Sequence, residues 1–88
     1  MIYSQKNISK NVFERVFSEN VDTDELVWHR DRLDRHVHIE KNNGWLLQMD
    51  NELPKLMQEG RTYFIPKETY HRVIKGTGDL VIKIEEIV

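Results

Sequence analysis

The sequence predicts an all-β domain, a small barrel or sandwich, preceded by a short N-terminal helix or arm. Three observations carry this. Residues 26–88 divide into seven short runs, spaced about 8–12 residues apart with turn signals between them. Within those runs the apolar residues alternate or cluster with β-branched residues, and helical intervals are absent, which argues against βαβ units. At 88 residues the chain has room for a single core.

The head, residues 1–25, carries Ile8, Val12, Phe13, Val16 and Phe17, whose intervals trace one face of a helix, with Ser9 as a candidate N-cap. An extended arm is the alternative, because Val and Phe are indifferent helix formers. The polar SENVDTDE stretch (18–25) reads as a loop. The β body begins with LVWH (26–29). RHVHIE (35–40) and WLLQMD (45–50) flank Asn42-Asn43-Gly44, a cluster that tolerates positive φ, so 35–50 reads as a hairpin. ELPKLM (52–57) is a short or edge strand, since Pro54 cannot donate to a ladder. RTYFIP (61–66) follows the Glu59-Gly60 turn, and TYHRVIK (69–75) precedes the tight Gly76-Thr77-Gly78 connection. In the last strand, 79–87, Leu80, Ile82 and Ile84 alternate with Val81, Lys83 and Glu85, the pattern of a strand with one wet face.

Composition removes whole function classes. The chain has no cysteine, which excludes disulfides, thiol catalysis and thiolate zinc sites. A net charge of −2 argues against a general nucleic-acid or membrane-surface role, each of which favours a basic excess. No apolar run approaches a membrane span, and MIYSQKNISK lacks the apolar centre of a secretory signal; a cytoplasmic location is expected. Gly76-x-Gly78 lacks the helix a dinucleotide site needs, and serine occurs only in the head, so neither phosphate-loop nor serine-nucleophile chemistry is indicated.

All four histidines, His29, His36, His38 and His71, lie in the β body. Residues two apart on a strand share a face, so His29 points with Val27 and Asp31, and His71 points with Val73. If Val27 and Val73 face into a barrel, then two imidazoles and a carboxylate converge there. That donor set suits Fe, Mn, Ni or Zn. The competing reading makes each histidine an ordinary hydrogen-bonded residue near a rim. His36 and His38 share the face opposite Val37 and Ile39 and are expected outside, although a one-residue slip would turn them inward and make His36 a further metal ligand. The charge cluster WHRDRLDRH (28–36) reads as a solvated rim, or as the place where an arginine clamps an anion through its bidentate fork. Arg35 and Tyr63 are the candidate ligand-binding side chains. No residue reads as a poised nucleophile, so catalytic residues and reaction are left open.

Gly60, the RTYFI strand, Pro66 and then His71 five residues on resemble the second motif of the cupin family. Glu68 departs from it, standing where cupins usually carry glycine. The first cupin motif, a His-x-His followed by a glutamate and then a glycine, is matched only in part. His29 fits the first histidine and Asp31 stands at the second. Arg35 falls at the glutamate, with His36 one place off, and Asn42 falls near the glycine. The resemblance spans residues 26–86 and leaves the head unmatched. It implies a small jelly-roll barrel, with residues 26–88 as the cupin-like domain, and a divalent metal on His29, Asp31 and His71. The alternative it offers is a metal-free module binding a small anion through Arg35 and the barrel histidines. A small-molecule ligand is expected, and a homodimer formed through an edge strand or the apolar face of the head is a further expectation.

Overall fold

The computed structural model describes residues 2–88. Alternation with period two puts apolar side chains on one face of each strand, and two such faces close on each other. Eight strands form: β1 (Ser4–Ser9), β2 (Val12–Phe17), β3 (Asp34–Lys41), β4 (Leu46–Met49), β5 (Lys55–Leu56), β6 (Thr62–Ile65), β7 (His71–Ile74) and β8 (Leu80–Ile87). All pair antiparallel, in a five-stranded sheet ordered β1-β2-β8-β3-β6 and a three-stranded sheet ordered β5-β4-β7. From the larger sheet Phe13, Phe17, Val37, Ile39, Ile65, Leu80, Ile82 and Ile84 are buried; from the smaller side come Trp45, Leu47, Met49 and Met57. The alternation expected in β8 and at Val37 and Ile39 is the one observed.

Trp45 anchors this core. It is fully buried, its ring lies 5.7 Å from that of Phe17, and its Nε1 donates to the Gly78 carbonyl at 2.6 Å. The expected turn at Asn42-Asn43-Gly44 is held by Asn42. Its side-chain oxygen accepts from the Trp45 amide, and its amide nitrogen donates to the Trp45 and Met57 carbonyls. Gly44 supplies the positive φ, +83°, that this turn requires.

Two expectations are corrected. Among its described residues the head forms no α-helix: residues 4–17 are the β1–β2 hairpin, so the extended alternative is the one realised. The reason is β8, whose outer edge pairs with β2 from Val12↔Glu85 to Phe17↔Leu80. A helix there would leave that row of backbone donors and acceptors unpaired. Met1 lies outside the described residues. LVWH (26–29) is no strand; after a single 3-10 turn at Thr23–Glu25, N-capped by Asp22, the segment touches β7 only at the His29↔His71 bridge. ELPKLM supplies the short edge strand expected of it: only Lys55–Leu56 pairs, at the margin of the smaller sheet, and Pro54 before it lacks an N–H. Among the described residues no helix is long and apolar enough to cross a membrane.

A candidate metal centre at the mouth of the barrel

Backbone hydrogen bonds bring the two halves of the site together. His29 and His71, forty-two residues apart, exchange both amide–carbonyl bonds, at 3.0 and 2.9 Å. The Glu68 amide donates to the Asp31 carbonyl at 2.7 Å, and the Lys67 amide to Asp34 Oδ1 at 2.7 Å. The 29–34 segment is thereby stitched to the turn that leads from Pro66 into β7. Glu68, at the position where the resemblance expects glycine, has φ +59°, so the left-handed turn is kept by a residue for which it is strained. Gly60 has φ +83° and nothing within 4 Å of where a Cβ would stand, so conformation, not space, calls for glycine there.

The side chains then converge. His29, Asp31 and His71 each offer a ligand atom, and these atoms lie within 4.8 Å of one another. The imidazole rings meet edge-on, with centroids 4.3 Å apart. Each ring is oriented by the carbonyl two residues before it: His29 Nδ1 lies 3.0 Å from the Val27 oxygen and His71 Nδ1 lies 2.8 Å from the Thr69 oxygen. A carbonyl only accepts, so both Nδ1 atoms carry the hydrogen and donate it. In the neutral ring this leaves the lone pair on Nε2, the arrangement that metal-ligating histidines adopt.

His71 is almost wholly buried, and its Nε2 lies 3.3 Å from Asp31 Oδ2 without the alignment of a hydrogen bond. That oxygen is itself buried and makes no hydrogen bond. Two acceptors facing each other in a buried place call for a cation between them, either a proton on Nε2 or a metal ion. Arg35 Nη1 lies 3.4 Å from Asp31 Oδ1, and its Nη2 donates to Glu86 Oε2 at 2.9 Å. Burial alone would push the Asp31 carboxyl up. The contact with His71 and the positive charge of Arg35 outweigh burial, and the carboxyl is held below its ordinary value. Asp31 is therefore an anion at neutral pH.

These groups open onto a cavity of about 350 Å³ that runs into the barrel. Its inner wall is apolar, formed by Phe17, Val37, Leu47, Met57, Ile65, Val73, Ile82 and Ile84. Ile2, Tyr3, Leu26 and Val27 frame it toward the outside. Val73 packs on the core as expected, whereas Val27 is 60% exposed and covers only the rim, because residues 26–29 do not run as a strand.

Not every expected residue arrives. His36 lies on the outer face of β3, where it stacks on Phe64 at 5.5 Å and approaches Glu85 at 3.4 Å. The register has not slipped, since Val37 and Ile39 hold the inner face, and His36 is outside the ligand group. His38 shares that outer face and meets Thr62 Oγ1 at 2.9 Å. Tyr63 does not reach the cavity; its hydroxyl accepts from the Gln58 amide and donates to the Leu56 carbonyl, so it props the loop before β6. Arg35 does line the cavity, but as the partner of two carboxylates. Two residues were not anticipated: Glu86, the partner of Arg35, and Arg15, which lines the cavity. Arg15 shares the inner face of β2 with Phe13 and Phe17, a placement that only a strand reading of the head would have revealed.

No family model and no curated protein matches the chain. Solved structures do. A cupin domain from Bordetella pertussis Tohama I superposes with a TM-score of 0.68 at 22% identity, covering 99% of this chain and 93% of that one. The chain has the cupin fold. An RmlC-like cupin family protein with a double-stranded β-helix fold, from Methanocaldococcus jannaschii, matches with a TM-score of 0.71 at 14% identity over 98% of this chain and 88% of its own. A DMSP lyase structure matches with a TM-score of 0.74 at 16% identity and 88% coverage, and this chain spans 37% of that protein's length.

Proposed function

We propose that the chain is a small-molecule-binding cupin protein that holds one divalent metal ion through Nε2 of His29, Nε2 of His71 and a carboxylate oxygen of Asp31. The observation that carries this reading is the buried Asp31 Oδ2, which has no hydrogen bond and faces a ring nitrogen whose hydrogen sits on the other side. Two imidazoles and one carboxylate suit Fe, Mn, Ni or Zn. Arg35 would oppose a nearby ion if its charge were free, but Glu86 takes up that charge and leaves Asp31 Oδ2 turned toward the histidines. The same two ion pairs weaken the alternative, an anion held by Arg35, because the guanidinium is already shared between two carboxylates. A bound ion would act as a Lewis acid on an oxygen of the cavity's occupant. The chain's own groups orient that occupant along the apolar wall and limit its access to water. That a DMSP lyase is built on the same fold supports a small molecule as the occupant.

Metal analysis of protein purified without a metal-affinity tag tests the proposal. About one equivalent of a divalent ion is expected to copurify, with weaker retention in His71→Ala or His29→Ala. Stabilisation by about 2.7 kcal/mol is expected at a metal concentration of 100 times Kd. Metal-free protein whose melting temperature ignores Fe, Mn, Ni and Zn would end the proposal.

A further inference from the structure

The cavity contains one cation that the metal centre does not use. Arg15 lies on the inner face of β2, the face that otherwise buries Phe13 and Phe17. It takes part in none of the ion pairs among the described residues, where Arg35 has two. Its Nε donates to Gln5 Oε1 at 2.9 Å, and its two terminal amino groups make no hydrogen bond among those residues. The guanidinium rests against two aromatic rings, 4.1 Å from the Tyr3 ring centroid and 5.0 Å from that of Phe13. Burial lowers its pKa from the ordinary value.

We infer that Arg15 receives the carboxylate of a small organic acid bound in the cavity. The charges of the inner wall support this. Arg15 and Arg35 equal Asp31 and Glu86 in number, but both carboxylates pair with Arg35, so Arg15 has no ion-pair partner of its own, and a metal ion on His29, Asp31 and His71 would give the group a surplus of positive charge. Glu25 also lines the cavity, but it is exposed at the mouth. A guanidinium fixed by stacking and by one bond at Nε presents its remaining N–H groups as a ready fork, which fits a carboxylate with two parallel hydrogen bonds. The rest of the wall is apolar, which favours an acid with a hydrocarbon body over inorganic phosphate. The distance also suits a short molecule. Arg35 lies on the same Phe13 ring, 5.7 Å from its centroid, so the two guanidiniums are no further apart than those two spans laid end to end. Asp31 adjoins Arg35 at 3.4 Å. One end of a small acid on Arg15 would therefore bring its other end toward His29, Asp31 and His71.

This inference rests on reading the cavity as the binding site, and its test separates it from the metal reading. Hexanoate, hexanamide and inorganic phosphate are titrated into the full chain, both metal-free and zinc-loaded, and followed by NMR. Hexanoate is expected to bind about tenfold or more tightly than hexanamide in both forms, and to shift the Arg15 Nε–H resonance where hexanamide does not. Arg15→Gln should abolish the preference for the acid while leaving hexanamide binding intact, and Arg15→Lys, which keeps the charge without the fork, should retain part of it. Should Arg15→Gln fail to fold, the resonance shift in the wild-type chain and the Lys variant still decide. Equal binding of acid and amide, an unmoved Arg15 resonance, or phosphate binding ahead of hexanoate would overturn the inference even in a chain that binds zinc. Acid selectivity in a chain that binds no metal would uphold the inference and dismiss the metal.

Discussion

Asp31→Asn tests the electrostatics of the site without changing its shape. In the metal-free chain the substitution takes one counter-charge from Arg35, which keeps Glu86 at 2.9 Å, and gives His71 Nε2 an amide donor in place of a carboxylate oxygen. Stripping one partner from a buried ion pair costs about 3–5 kcal/mol. The surviving Glu86 contact and a new hydrogen bond worth about 1 kcal/mol offset part of that, leaving a loss of about 1–2 kcal/mol at pH 7. For a domain of this size that is a fall in melting temperature of roughly 5–15 °C. The sign of the pH dependence follows from the direction of the shift. The folded-state pKa of Asp31 lies below its ordinary value of 3.8. Its contribution is therefore fully present above the unfolded value and is lost as pH falls through the folded one. Thermal denaturation of both proteins from pH 7 down to pH 3 should show the gap narrowing at the acid end, as the wild-type carboxyl gains its proton. A variant as stable as the wild type at pH 7, or a gap that does not change with pH, would refute this account of Asp31.

Other substitutions probe the frame around the site. Glu68→Val should cost about 1–2 kcal/mol by urea titration, because a β-branched residue cannot easily hold the left-handed turn before β7, whereas Glu68→Gly should fold at least as well as the wild type. Trp45→Phe removes the donor to the half-buried Gly78 carbonyl and leaves a void beside the fully buried ring, and should cost about 2–4 kcal/mol in the same assay. His36→Ala, on the outer face, should leave metal content unchanged as measured by elemental analysis.

The meeting of His29, Asp31 and His71 was legible because its signals are local. A histidine five residues after a proline begins a strand, His-x-Asp keeps two ligands on one side, and the two pieces need only one bridge to meet. The head was illegible for a physical reason. Val12, Phe13, Val16 and Phe17 satisfy helical spacing, yet in a strand the same residues serve two faces: Phe13 and Phe17 enter the core, while Val12 and Val16 stay half-buried on the other side. Six residues are too few for periodicity to separate the two, and only the pairing with β8, a contact between opposite ends of the chain, settles it. Arg15 was hidden by the same ambiguity, since a helix would turn it away from the apolar face and a strand turns it inward. The role of Arg35 depended on Glu86, fifty-one residues away, which no local pattern reveals.

X-ray absorption on the zinc-loaded chain reads the neighbours of the metal themselves. Scattering from two imidazoles, with nitrogen and oxygen neighbours at roughly 2.0–2.2 Å and one imidazole lost in His71→Ala, is the expected result. A shell made only of water and carboxylate oxygens, unchanged by that substitution, would contradict it.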